Sequence, residues 1–228
     1  MEPLARSLHQ LGFTVSAPLL AGHGDTNVKL AATGWPDWYA TARTHFLELR
    51  AAHQRVCLVG LSLGGLLSLR LAEEFPDKVS ALATLAAPLF LGVWARFAVP
   101  LVWYSPLRFF YRYQKKVDGG DIKDEIVKKQ LWSNDAMPVA GIHSLMQFQK
   151  IVRQDLRKVS APTLVVHARD DHTAPYANLQ AIAEGIGATV VETCTLTNSY
   201  HLITLDLERV QVVSRVIGFL QRFAGDAV

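Results

Sequence analysis

The chain has 228 residues, half of them apolar, and a formal net charge of only +3. That length fits one large domain or one domain with an insertion, and the apolar half supports a sizeable core and argues against disorder. So small a charge gives no support to nucleic-acid binding.

The N-terminal stretch MEPLARSLHQLGF has no apolar core of signal-peptide length after a basic start. The longest apolar run, residues 89–102, is interrupted by Arg96 and Pro100 and is too short to span a bilayer. A cytoplasmic protein without stable membrane insertion is the expectation. Cys57 and Cys194 both lie in apolar runs, which predicts buried free thiols of a reduced compartment in preference to a bridge. No CxxC pair or dense His/Cys cluster suggests a metal site.

In chain order, Leu4, Leu8 and Leu11 share a helical face that ends at Gly12, and residues 13–18 (FTVSAP) read as a buried strand. Residues 21–34 are a loop containing Gly22-His23-Gly24. A helix starts near Trp35-Pro36, with proline in its first turn; Trp35, Trp38, Ala42, His45 and Leu49 follow at near-helical spacing. Residues 55–60 (RVCLVG) are a second buried strand, 63–75 a helix stopped by Pro76, and 79–88 (VSALATLAAP) a third strand. Such alternation argues for a parallel α/β sheet.

Residues 89–158 differ. Aromatics are dense at first (Phe90, Trp94, Phe97, Trp103, Tyr104, Phe109, Phe110, Tyr111, Tyr113), followed by the polar turn Asp118-Gly119-Gly120 and two helical patterns, 121–132 and 142–156. No strand is expected here, so the span reads as a helical insertion between two sheet strands. The alternation then resumes: a strand at 161–168 (APTLVVHA), a helix at 175–186, a last strand at 188–196, and a terminal helix with a face of Leu207, Val210, Val213, Ile217 and Leu220.

The stretch VGLSLGG (59–65) places Ser62 between a strand and a helix. A serine hydroxyl is a weak nucleophile unless a base takes its proton. Glycine at Gly60 and Gly64 lets strand and helix approach closely, so that the serine can sit on a strained turn with its hydroxyl exposed. The base is expected as a histidine late in the chain, oriented by an acid between the two. His201 follows the last strand and suits that place. His9, His45 and His53 look like helix-surface residues, His167 like a packed neutral ring inside a strand, and His143 begins an insertion helix; His23 is the rival but precedes the serine. For the acid, Asp170 and Asp171 both end a strand, where loops of parallel sheets build sites, and Asp171 is favoured over Asp170. Asp206 reads as a cap of the terminal helix.

The order Ser62, Asp171, His201, with a helical insertion after the third strand, resembles the α/β-hydrolase fold. More narrowly, APLLAGHG (17–24), ATGWPDWYATA (32–42), VGLSLGG (59–65), HARDD (167–171) and SYHLITLD (199–206) resemble bacterial carboxylesterases of the monoacylglycerol-lipase-like type. The resemblance implies an α/β-hydrolase core at 1–88 and 159–228 and a helical cap at 89–158. It implies Ser62 as nucleophile, Asp171 as orienting acid, His201 as base and the Leu63 backbone N–H as an oxyanion donor. In such families a strand ending in a histidine-glycine-aromatic loop precedes the first helix seen here and supplies the second donor. That segment has no counterpart in this sequence, so the second donor is expected to be absent from the chain, a loss of roughly 100- to 1,000-fold in turnover. The missing strand would lie between FTVSAP and RVCLVG. Either those two pair directly, or another copy donates a strand, or, as the favoured expectation, Met1 is an internal methionine of a longer protein.

The expected substrate is a short- to medium-chain carboxylic ester with an apolar acyl chain, monoacylglycerols among them, received by an aromatic wall of the insertion. The rival expectation for those aromatics is a small core of the insertion itself. Arg108, Arg112, Lys115, Lys116, Lys123, Lys128 and Lys129 form a basic tract read as a solvated surface. No cofactor is implied, and a homo-oligomer is compatible. A non-catalytic hydrolase-fold protein that binds a hydrophobic ligand or partner is the alternative; thioester or C–C bond hydrolysis on the same triad is not separable from ester hydrolysis by sequence.

Overall fold

A computed structural model describes residues 1–24, 26–115, 120–130 and 136–224. Three helices precede the sheet: α1 (Glu2–Gln10), α2 (Asn27–Ala31) and α3 (Trp35–Ala52). Then come β1 (Cys57–Leu61), α4 (Leu63–Glu74) and β2 (Ala81–Leu85). The following stretch holds α5 (Val93–Trp103), β3 (Tyr113–Lys115), α6 (Glu125–Gln130), β4 (Ala136–Pro138) and α7 (Val139–Asp155). The chain closes with β5 (Thr163–Ala168), α8 (Ala177–Gly185), β6 (Val191–Leu196) and α9 (Arg209–Ala224).

The main sheet is parallel throughout, in the order β1-β2-β5-β6. Every residue of β2 and β5 is buried, because helices cover both faces and an apolar run is the only sequence that suits such a strand. Alternation sorts their side chains. Leu82 and Val165 face a layer with Phe46, Leu66, Phe148 and Ile182, whereas Leu85, Leu164 and Val166 face Leu4, Val212, Val216 and Leu220. Each fully buried aliphatic or aromatic side chain contributes roughly 1.5–3 kcal/mol to the fold. Cys57 on β1 and Cys194 on β6 stand on the two outer strands and are free thiols.

Four expectations need correction. Residues 13–18 are not a strand and do not pair with β1; they run without ladder partners, and Val15 is 37% exposed. Their pattern is that of a strand, but a strand exists only where a neighbour's edge takes its backbone groups, and β1 is bonded to β2 alone. The other side of β1 borders a cavity of about 2180 Å³, lined also by Leu4, Phe13, Val15 and Val56. Second, a two-stranded antiparallel sheet, β3 with β4, interrupts the span expected to be helical. Third, the two helical patterns shift: α6 starts only at Glu125 and α7 at Val139, while Asp118 and Gly119 of the expected polar turn, with Lys116 and Trp132, lie outside the described residues. Fourth, α9 buries Val212, Val216, Phe219 and Leu220, and leaves Val210 75% exposed, so its inner face is rotated from the expected one. No helix among the described residues is long and apolar enough to cross a membrane.

Candidate active site

Ser62 sits at the junction of β1 and α4 with φ +52° and ψ −120°, a backbone region that costs a non-glycine residue about 1–3 kcal/mol. The turn holds that conformation by hydrogen bonds on both sides. Ser62 N donates to Leu85 O at 2.8 Å, and Gly65 N donates to Ser62 O at 2.8 Å. A Cβ on Gly60 would fall on the backbone of Gly64, and one on Gly65 would lie 2.6 Å from Ala87 Cβ. A Cβ on Gly64 would meet nothing within 4 Å. The close approach therefore depends on Gly60 and Gly65, not on Gly60 and Gly64. Leu63, first residue of α4, has no intrahelical acceptor for its N–H.

Ser62 Oγ lies 2.8 Å from His201 Nε2, and His201 Nδ1 lies 2.8 Å from Asp171 Oδ2. A carboxylate only accepts, so the ring proton belongs on Nδ1, which leaves Nε2 free to accept from the serine. Both partners are buried: His201 is 6% and Asp171 9% exposed. Burial pushes the Asp171 carboxyl up, but hydrogen bonds from His167 and His201, the charge of His201 and the Ala174 N–H outweigh it and hold the group well below the usual carboxylate range.

The structure separates the competing candidates. Asp170 is exposed, while Asp171 Oδ1 accepts from Thr173 N at 2.9 Å and Ala174 N at 2.7 Å. His23 stands edge-on to Trp38 with Nδ1 3.2 Å from Ala21 O. His143 stacks on Trp103. His167 is packed, as expected of a strand ring, but it does more: its Nε2 lies 3.0 Å from Ala174 O and 3.2 Å from Asp171 Oδ2. Sequence reasoning missed that second contact, and its only signal is the four-residue spacing within HARDD. Asp206 is not simply a helix cap. It is fully buried, and its oxygens accept from Tyr200 N, Lys123 N, Asp124 N and Leu207 N at 2.8–2.9 Å. Glu208 accepts from Asn198 N and Ser199 Oγ. These two carboxylates fix the loop that presents His201.

Ser62 and His201 open into the large cavity beside β1. Its wall from the 89–158 stretch is mainly aliphatic, with Leu91, Val93, Met137, Ile142 and Leu145. Of the aromatics expected there only Trp94 borders it; Phe97, Tyr104, Phe109, Phe110 and Tyr111 are more than 60% exposed. The core role fits Trp103, which packs on Leu91, Val99, Val139 and Ile142, and Phe90, which packs on the main core, whereas neither expected role describes the exposed rings.

A parallel sheet flanked by helices, with a serine on a strained strand-to-helix turn facing a buried His–Asp pair, defines an α/β hydrolase. The chain belongs to the family described as "Serine aminopeptidase, S33", which it matches over residues 1–208. It is 30% identical over 225 residues to a thermostable monoacylglycerol lipase of Bacillus sp. (strain H-257), covering 99% of this chain and 86% of that protein. It is 28% identical to a carboxylesterase of Bacillus subtilis (strain 168), covering 96% and 85%. Among solved structures, that of the metagenome-derived lipolytic enzymes LipS and LipT superposes with a TM-score of 0.89 at 29% identity, over 97% of this chain and 87% of the other.

Proposed function

We propose that this chain hydrolyses carboxylic esters of short to medium acyl length, monoacylglycerols among them, through an acyl-enzyme on Ser62. The observation that carries this reading is the unbroken array Ser62 Oγ–His201 Nε2 and His201 Nδ1–Asp171, each link 2.8 Å, at the edge of an apolar cavity. His201 takes the serine proton as Oγ bonds to the ester carbonyl carbon. The carbonyl electrons move onto oxygen, next to the Leu63 N–H. Collapse of that intermediate breaks the C–O bond to the alcohol, which leaves with the proton from Nε2. Water then repeats the sequence, releases the carboxylic acid and restores Ser62. Asp171 keeps the proton on Nδ1 and stabilises the imidazolium.

Residues 89–158 act as a cap in this reading, their aliphatic wall receiving the acyl chain. The relatives named monoacylglycerol lipase and carboxylesterase support esters as the substrate class. The family descriptor names an aminopeptidase, which must hold a substrate ammonium. Asp121 is the one carboxylate among the described residues on the cavity wall, and its oxygens are occupied by His172 and Thr173.

The test is a p-nitrophenyl ester series from acetate to decanoate with wild type and Ser62→Ala. Removing the serine is expected to lower kcat by ~10⁴- to 10⁶-fold with an unchanged circular-dichroism spectrum. Turnover that survives in the folded variant rejects the mechanism, and failure of a fluorophosphonate to label wild type supports the non-catalytic alternative.

A further inference from the structure

The short stretch 120–124 joins two loops that are distant in sequence. Asp121 Oδ2 accepts from His172 N at 3.0 Å, Thr173 N at 3.0 Å and Thr173 Oγ1 at 2.9 Å, while Oδ1 lies 2.8 Å from His172 Nδ1. The main-chain oxygen of the same residue accepts from Leu202 N at 3.1 Å. One residue thus holds the positions directly after Asp171 and directly after His201. Thr173 N–H is shared, lying 2.9 Å from Asp171 Oδ1 and 3.0 Å from Asp121 Oδ2. One of the two backbone donors on Asp171 Oδ1, beside Ala174 N, is therefore itself oriented by Asp121.

The stretch is anchored on its far side as well. Ile122 is 1% exposed, and Lys123 N and Asp124 N both donate to the buried Asp206, whose Oδ2 also accepts from Tyr200 N beside His201. Gly120 enters with φ +124°, which an L side chain rarely adopts. Lys123 Nζ lies 5.6 Å from the Tyr200 ring centroid, which adds a cation–π contact to the same loop.

We infer that Asp121 is a positioning residue for the Ser62–His201–Asp171 array, setting the separation of the loop that carries the acid from the loop that carries the base. The inference rests on reading that array as catalytic. Asp121 touches neither Ser62 nor the reacting atoms; it acts through Thr173 N–H on Asp171 and through Leu202 N–H on the His201 loop. Because a misplacement of about 1 Å can cost ~100-fold in rate, releasing either loop should show in the chemistry before it shows in folding.

The experiment measures the second-order rate of fluorophosphonate labelling, which reads Ser62 activation with a probe too small to need the cap. Asp121→Ala is expected to label ~10- to 100-fold more slowly than wild type, with a matching fall in kcat for p-nitrophenyl butyrate and little change in KM. Asp121→Asn keeps an amide oxygen for the Thr173 and His172 N–H groups and is expected to recover most of the rate. The low-field Nδ1 proton resonance of His201 should broaden or move in the alanine variant and return in the asparagine variant. A purely structural role would lower thermal stability and leave labelling rate and resonance in place, and that result overturns the inference. Should Asp121→Ala fail to fold, Asp121→Ser, too short to reach His172 and Thr173 while its main-chain oxygen still holds Leu202 N, is expected to show the same drop; wild-type labelling in it overturns the inference too. Wild type that does not label at all, with Ser62→Ala indistinguishable from it, rejects instead the catalytic reading on which the inference stands.

Discussion

Asp170 and Asp171 are adjacent in sequence, and their surroundings differ completely. Asp171 is nearly buried, with its oxygens facing His201, His167, Thr173 N and Ala174 N, whereas Asp170 is exposed. Asp171→Asn offers His201 an amide that can donate as well as accept, which favours the ring tautomer with its proton on Nε2 and removes the acceptor that Ser62 needs. Its kcat is expected to fall ~10⁴-fold, while Asp170→Asn stays near wild type; equal losses in the two would remove Asp171 from the mechanism. Because Asp171 is held well below the usual carboxylate range, any fall of ester turnover on the acid side is expected to come from a group other than Asp171. The sign for stability follows. A depressed carboxylate stabilises the fold at every pH above its unfolded value of about 3.9, and that contribution is lost as pH falls through the lower folded value. At this scale Ser62, Asp171 and His201 were legible because each ends or follows a strand, where chain order and strand–loop position carry information. Asp121, Asp206 and Glu208 were not. Asp121 meets backbone N–H groups 51 and 52 positions away and Asp206 meets others 82 and 83 away, and Glu208 holds the turn before His201, pairings that no local pattern encodes.

The junction of β1 with α4 is where element geometry and chemistry meet. Three glycines surround Ser62, and they are not equivalent. Gly60→Ala drives a methyl group into the Gly64 backbone, and Gly65→Ala presses one against Ala87, two residues after β2. Neither obstacle is the tip of a flexible side chain. Both variants are expected to lose about 1–3 kcal/mol of stability and to lose activity, because the turn that strains Ser62 must open. Gly64→Ala adds a methyl group to open space within a helix and is expected to fold normally, with a change below about 1 kcal/mol. Urea unfolding of the three variants measures this, and an equally damaging Gly64→Ala contradicts the geometry. Most elements were readable from sequence, since α3 and α4 carry helical spacing and β1, β2 and β5 are short apolar runs, each with a proline or glycine at or near an end. FTVSAP was misread because alternation describes a strand's faces and is silent about its edges. The terminal helix was found, but its face was mistaken, because Val210 and Val213 fit a helical stripe as well as Val212 and Val216 do.

For the whole molecule, α4 links the site to a buried charge cluster at its other end. Glu73 is 3% exposed; its Oε2 lies 3.1 Å from Arg70 Nη1, and its Oε1 has no partner among the described residues. Arg70 also holds Asp155 at 2.9 Å, and Asp155 in turn takes Lys158 at 2.8 Å. Burial is the largest influence on Glu73 and pushes its carboxyl up to about 8, against the opposing pull of Arg70. In the unfolded chain the same group titrates near 4.3. Between those two values the folded protein binds a proton that the unfolded chain has released, so stability falls as pH rises through this window. Its Glu73 contribution is fully present only below the unfolded value. Glu73→Gln removes the titration and keeps an oxygen for Arg70, which retains Asp155 in any case. Its melting temperature, measured against wild type, is expected to gain more at pH 9 than at pH 5. An equal difference at the two pH values would show that Glu73 does not carry this dependence. Glu73 lies eleven residues from Ser62, about 16 Å along the helix axis. Ester turnover at pH 7 should therefore stay at the wild-type rate, so that the global stability and the chemistry of one helix are read separately in the same variant.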